Sequence, residues 1–215
     1  MIRRAMAGRG VGLGEFRWRG QEITRFEGFS DAVLGFAVTL LVVSLEVPRT
    51  FTELMAGMRG FAAFAICFAT LIHVWYLQYV FFRRYALQDR VTILLNATLL
   101  FVVLFYVYPL KFLFRLMVDQ FTGVPLVVVR GDGHAEPVIE AAQAPALMLI
   151  YGAGFVAVFL IFALLFQHAY RKRKELDLNA IEAFDTRFSV RHMLLSAAVG
   201  TFSMALRSVG SSVTR

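Results

Sequence analysis

The sequence predicts an all-α integral membrane protein, built as a bundle of transmembrane helices. The chain has 215 residues, 59% of them hydrophobic and 22 of them phenylalanine, and its mean hydropathy is +0.66. Soluble domains rarely reach such values. The apolar residues are also gathered into long uncharged runs, and about 20 such residues suffice for a helix to cross a bilayer. Composition and patterning together therefore indicate one membrane domain.

Four of these runs are clear spans, and a fifth is marginal because its uncharged stretch is short. The predicted spans are about residues 28–47, 60–82, 91–113, 145–170 and 192–209. Ahead of them, residues 1–24 carry several arginines and alternating glycines, a composition that predicts a flexible basic tail. Residues 25–215 then form the predicted transmembrane domain.

Lysine and arginine are concentrated in the tail, in residues 83–90 after the second span and in residues 171–191 after the fourth. Alternating spans place these three segments on one side of the membrane. Basic segments stay on the cytoplasmic side, so we expect a multi-pass protein of the cell membrane with a cytoplasmic N-terminus. The net charge of +7 is explained in the same way and does not indicate nucleic-acid binding.

The sequence carries no signature of an enzyme or a cofactor site. Cys67 is the only cysteine, so neither an internal disulfide nor a cysteine zinc site is expected. Motifs such as GxSxG, HExxH or a P-loop are absent from the chain. We therefore expect a protein without enzymatic activity, metal centre or cofactor.

The first span holds the most informative pattern, because the carboxylate of Asp31 lies inside it or at its mouth. An intramembrane carboxylate is costly unless it is paired or faces water. At 100° per residue, one helix face is bulky and apolar and the other holds small or polar residues. The first face comprises Phe29, Val33, Phe36, Leu40 and Val43, and the second comprises Asp31, Gly35, Thr39 and Val42. The bulky face can meet lipid, another helix, or the axis of a pore.

The pattern Arg25-x-x-x-Phe29-Ser30-Asp31, followed by AVLGFAVTLLV, resembles the first-helix signature of the TMEM175-type potassium channels in their small bacterial form. The resemblance implies six spans, a homotetramer and a pore lined by the first helix, with potassium as the permeant ion. It places the tightest constriction at Phe36, where the family usually has Ile or Leu, and a pore threonine at Thr39. Leu40 and Val43 would then form further apolar rings.

Polar side chains in the first three spans fall at one depth. Ser30, Asp31, Gln78 and Asn96 all lie within roughly 10 Å of the cytoplasmic edge at 1.5 Å per residue. Polar groups at that depth bond one another because lipid offers no partner. We expect a structural network that locks the three helices, formed by these four residues with Arg25 and Phe29 of the motif. A role in transport is the alternative.

Three functions remain open at this stage. The first is a potassium-permeable channel whose partners are copies of itself, the lipid bilayer and potassium ions. The second is a proton-coupled transporter that uses Asp31 and His73 as a relay. The third is a non-conducting membrane scaffold.

Overall fold

The computed structural model describes residues 16–43, 49–59, 61–121, 127–129, 135–140 and 143–213. Residues 1–15 of the predicted tail and 44–47 of the predicted first span lie outside these ranges. The helices in the described part are α1 (Arg25–Val43), α2 (Phe51–Arg59), α3 (Phe61–Tyr85), α4 (Arg90–Phe121), α5 (Ala144–Arg171) and α6 (Ala180–Val213). Strands β1 (Val127–Val129) and β2 (Ala135–Pro137) pair antiparallel between α4 and α5, with Val128 opposite Glu136.

The predicted all-α membrane fold is confirmed. Among the described residues, three helical segments are long and apolar enough to cross a membrane: Phe61–Tyr85, Arg90–Val107 and Ala144–Arg171. Helix α1 differs from them because it carries Arg25, Glu27 and Asp31 in its first two turns. Helix α6 begins at Ala180, inside the basic segment of residues 171–191 described above. The short hairpin was not predicted.

Each helix of the bundle packs against one or more neighbours. Helix α1 lies against α3 and α4, α5 lies against α4, and α6 runs along α5 in the most extensive pairing of the bundle. Glycines permit close approach where α5 packs against α4 and α6. A Cβ added at Gly154 would lie 2.3 Å from the ring of Tyr106, and one at Gly200 would lie 2.9 Å from Phe155. Small residues at helix crossings are typical of membrane bundles.

The start of α1, the end of α3, the start of α4, the end of α5 and the start of α6 meet at one end of the bundle, here called the basic end. Contacts between distant segments define it. The hydroxyls of Tyr85 and Thr186 are 2.8 Å apart, and the rings of Phe81 and Phe166 meet edge to face at 5.5 Å. His168 Nε2 lies 2.7 Å from the Asp89 carboxylate. Buried aromatic rings thus hold the helix ends together.

Residues 16–20, here called the strap, lie across the basic end. The backbone N–H groups of Arg19 and Gly20 donate to the Arg83 carbonyl oxygen at 3.0 and 3.1 Å, and the Arg83 guanidinium returns a bond to the Gly20 carbonyl. Phe16 is buried against Tyr85, with ring centroids 5.6 Å apart. The expectation of a flexible tail is therefore wrong for these residues, because their backbone and aromatic groups find partners on the helices.

A buried carboxylate joins the strap to α6. Glu182 is 1% exposed and pairs with the Arg19 guanidinium at 2.7 Å. Glu182 and Asn179 also cap the first turn of α6 reciprocally, each side chain accepting the other's backbone N–H, which is the capping-box arrangement. Burial raises the pKa of Glu182, but hydrogen bonds from Arg19, Arg17 and Asn179 outweigh it and leave that pKa below its ordinary value. The carboxylate is therefore ionised at neutral pH.

Candidate functional site

Helix α1 begins at a cap that its sequence supplies. The Thr24 hydroxyl accepts a hydrogen bond from the Glu27 N–H at 3.2 Å, and the Thr24 carbonyl accepts from Gly28 at 3.0 Å. A threonine followed three residues later by a glutamate is the sequence form of a capping box. The start of α1 is thus fixed immediately before the residues of the Arg25–Asp31 motif.

Three uncharged polar side chains join α1, α3 and α4 in the interior of the bundle. The Asn96 amide donates to the Ser30 hydroxyl at 2.8 Å, and Gln78 Nε2 donates to the Asn96 carbonyl oxygen. The Ser30 hydroxyl in turn donates to the Phe26 carbonyl at 3.0 Å. All three side chains are buried. This Ser30–Asn96–Gln78 triad satisfies groups for which lipid would offer no partner.

Asp31 lies beside the triad but does not join it. Its carboxylate is exposed and accepts a hydrogen bond from Trp75 Nε1 at 2.8 Å. Arg25 has no hydrogen bond or ion pair with the residues that the structure describes, and Phe29 is 59% exposed. The structure thus brings together three of the six residues predicted for the network and gives Asp31 a tryptophan partner that the sequence analysis did not assign.

Small spaces remain around this group. A cavity of about 140 Å³ is lined by Glu27, Ser30, Asp31, Trp75 and Gln78 among others. Its walls combine two carboxylates with hydrogen-bonding amide, indole and hydroxyl groups. It lies next to the start of α1, where the helix leaves the strap.

One side of α1, here called the outward stripe, is exposed. Phe36 is 66% exposed and Leu40 45% exposed, and Thr39 between them is exposed as well. The Thr39 hydroxyl donates to the Phe36 carbonyl at 2.8 Å. On the other side of the helix Leu34, Ala37 and Leu41 are buried. The side chain of Val43 lies outside the described part of the chain.

The rotation of α1 differs from the two-face division made on the sequence. The buried line runs through Ser30, Leu34, Ala37 and Leu41, at a spacing of three and four residues. Both Phe36 and Thr39, which that division put on different faces, belong to the outward stripe. Bulky and small apolar residues alternate around this helix, so size did not identify its buried side.

The similarity of this chain to known proteins identifies its family. Residues 25–106 match the family described as the endosomal/lysosomal potassium channel TMEM175. A potassium channel of Marivirga tractuosa is 45% identical to this chain over 197 residues, which are 91% of this chain and 79% of that protein. The chain belongs to the TMEM175 potassium channel family. The predicted family is thereby confirmed.

Solved structures of the TMEM175 family resemble the fold described above. A variant of the potassium channel MtTMEM175, crystallised with a nanobody–MBP fusion protein, superposes with a TM-score of 0.82 at 43% identity, covering 93% of this chain and 86% of that one. A lysosomal potassium-selective channel TMEM175 homolog from Chamaesiphon minutus gives a TM-score of 0.52 at 27% identity, covering 86% and 89%. These relatives are ion channels and not enzymes.

His73, considered above as part of a proton relay, and His168 have different surroundings in this member of the TMEM175 family. His73 lines an apolar cavity of about 1030 Å³ between α3, α4, α5 and α6. His168 and Lys172 approach Asp89 at 2.7 and 3.8 Å. Burial raises the pKa of Asp89, but the hydrogen bonds from Thr92 and His168 lower it by more. The pKa of Asp89 therefore lies below its ordinary value. Within the described ranges no group of three or more His, Cys, Asp or Glu side chains is placed to hold a metal.

Replacing Asn96 by leucine tests the triad. Asn96→Leu preserves the approximate volume but removes both the acceptor of Gln78 and the donor to Ser30. The Ser30 hydroxyl keeps its bond to the Phe26 carbonyl, but the buried Gln78 amide loses its acceptor. An unpaired buried group costs about 1–3 kcal/mol, so the thermal unfolding midpoint in detergent should fall clearly. Thr98→Val is the matched control, because Thr98 is exposed on the same helix and bonds only the Leu94 carbonyl. An Asn96→Leu midpoint no lower than that of Thr98→Val would show that the triad does not stabilise the bundle.

Proposed function

We propose that this chain is one subunit of a potassium-permeable channel whose pore is lined by α1. Membership of the TMEM175 family and the potassium-channel relatives support the activity. The observation that carries the assignment to α1 is its outward stripe, where Phe36, Thr39 and Leu40 are exposed while the opposite side of the helix is buried. A helix anchored on one side and bare on the other has a face available for the axis of an assembly.

One such stripe cannot enclose a path for ions, so the pore requires several copies of the chain. We propose a homotetramer with the four α1 helices around its axis, as the resemblance implies. The partners are then other copies of this chain, the lipid bilayer and the permeant potassium ion. No cofactor or nucleic acid takes part.

The proposed gate is a stack of apolar rings formed by Phe36, Leu40 and Val43 from each subunit. A dry constriction resists ions because an entering ion sheds water without gaining polar ligands. Thr39 adds a layer of hydroxyls between the Phe36 and Leu40 rings. Selectivity would then come from the width of the Phe36 ring together with the polar Thr39 layer, since the sequence has no TVGYG-like filter.

We also propose that the basic end faces the cytoplasm, in a multi-pass protein of the cell membrane. Arg83, Arg84, Arg90, Arg171 and Lys172 all lie at helix ends on that side. Lysine and arginine near the ends of spans are retained on the cytoplasmic side. The N-terminus, which precedes the strap, would then be cytoplasmic too.

The orientation can be tested by thiol labelling. In a Cys67→Ala background, Gly133→Cys should react with an impermeant thiol reagent in intact cells, whereas Gly10→Cys should react only after the cells are opened. Labelling of position 10 and protection of position 133 in intact cells would reverse the orientation.

Passive potassium flux tests the pore. Phe36→Ala shortens the bulkiest side chain of the proposed constriction and should let water enter, so flux through purified protein in liposomes should rise and discrimination of potassium from sodium should weaken. Val38→Ala is the control, because Val38 packs against the core on another side of α1 and its truncation leaves the stripe unchanged.

The outcomes of this experiment separate the functions. Wild-type flux that follows the potassium gradient supports a channel, strict coupling to protons indicates a transporter, and absence of flux in a correctly assembled protein indicates a scaffold. Unchanged flux and selectivity in an assembled Phe36→Ala oligomer would remove Phe36 from the pore.

A further inference from the structure

The strap connects three parts of the basic end that are far apart in sequence. It is bonded to the end of α3 through Arg83 and to the start of α6 through Glu182, and it leads directly into α1. Glu182 and Arg19 are 163 positions apart in the chain. The two residues therefore join the beginning of the described chain to the start of α6.

Glu182 holds the strap with a complete set of donors. Its Oε1 accepts from the Arg17 N–H at 2.8 Å and from Arg19 Nη1 at 3.2 Å. Its Oε2 accepts from Arg19 Nη2 at 2.7 Å and from the Asn179 N–H at 3.1 Å. Arg19 also donates to the carbonyl oxygens of Leu176, at 2.8 Å, and Asp177, at 3.0 Å. A buried charge with this many partners fixes its neighbours firmly, because losing one partner leaves the charge uncompensated.

The contact between the strap and α3 tolerates little movement. A Cβ at Gly20 would lie 2.8 Å from the Phe82 carbonyl oxygen and 3.3 Å from the Arg83 Cα. Both of these are backbone atoms that cannot swing aside. The strap therefore lies in direct backbone contact with the last turn of α3.

Two routes lead from the strap to α1. The first is covalent: four residues lie between Gly20 and Arg25, the first residue of α1. The five Cα–Cα steps from Gly20 to Arg25 span at most about 18 Å when fully extended. The second is a column of rings. Trp18 meets Tyr79 edge to face at 6.2 Å, and Tyr79 stacks on Trp75 at 5.6 Å. Trp75 donates the hydrogen bond to Asp31 on α1.

We propose that Arg19 and Glu182 are positioning residues for conduction: their ion pair clamps the strap, and the strap sets the placement of the first turns of α1. The inference rests on the proposed function, since it assumes that α1 lines the pore. The start of α6 thereby influences conduction through the pore. A ligand or modification that loosens the clamp changes ion flow without contacting the constriction.

The test compares two arginines of the strap. Arg19→Gln removes the clamp. Arg17→Gln removes a side chain that is 52% exposed and, among the described residues, bonds only Asp177, through its 92% exposed carboxylate and its carbonyl oxygen. Mutations along a coupling route change equilibria by about 2- to 30-fold. Arg19→Gln should therefore change potassium flux per assembled oligomer by roughly 2- to 30-fold and lower the potassium-to-sodium ratio. Arg17→Gln should leave both quantities at the wild-type value. Arg19→Lys keeps the charge, so its flux and potassium-to-sodium ratio should lie between those of Arg19→Gln and the wild type.

Loss of stability alone is controlled by Tyr85→Phe, which removes the hydrogen bond to Thr186 at the same end of the bundle and leaves the strap intact. Its thermal unfolding midpoint should fall while its flux and selectivity stay at the wild-type value. An Arg19→Gln protein that assembles and conducts like Arg17→Gln overturns the proposal. So does a Tyr85→Phe protein that reproduces the Arg19→Gln change in selectivity.

A second measurement does not depend on conduction. A spin label on Ile23→Cys, in a Cys67→Ala background, reports distances between copies at the start of α1. Arg19→Gln should broaden these distances and Arg17→Gln should not; unchanged distances overturn the proposal. If the wild-type protein carries no potassium, the proposed function fails, and the label still decides whether the clamp positions α1.

Discussion

The hydrogen bonds of the Ser30–Asn96–Gln78 triad set the rotation of α1, and the exposure of its outward stripe depends on that rotation. Ser30 is drawn inward by Asn96, so Leu34, Ala37 and Leu41, which follow on the same side of the helix, are buried with it. Phe36, Thr39 and Leu40 are left facing outward. Because the membrane interior offers no alternative partner for an amide, turning α1 would leave polar groups unsatisfied.

The strap adds a second constraint at the basic end. The triad fixes the rotation of α1 in the bundle, while the contacts of Arg19, Gly20 and Glu182 fix the segment that precedes it. Asp31 lies between the two constraints, bonded to Trp75 at the end of the ring column that starts at Trp18. The signature residues of the TMEM175 family are thus placed where an anchored helix meets its lead-in segment.

The depth of a residue in a membrane helix can be predicted from sequence, but its rotation is harder to predict. Counting from the flanking arginines puts Gln78 and Asn96 at the level of Ser30, and in the structure Asn96 bonds both Ser30 and Gln78. Asp31, one position further on, points about 100° away and meets Trp75 instead. The contacts of the strap are not predicted from sequence, because arginine and alternating glycine are typical of flexible tails. Its partner Glu182 is distant in sequence and lies in the basic segment of residues 171–191.

Cross-linking shows whether the α1 helices of several copies face one another around an axis. In a Cys67→Ala background, Phe36→Cys and Val38→Cys proteins are treated in the membrane with an oxidant or a short bifunctional thiol reagent. A disulfide needs Cα atoms within about 7 Å, so only residues that face a neighbouring copy closely can react. We expect covalent dimers for Phe36→Cys and monomers for Val38→Cys. An oligomer that conducts potassium but forms no dimers at position 36, or that cross-links as readily at position 38, would show that the outward stripe of α1 does not face the axis.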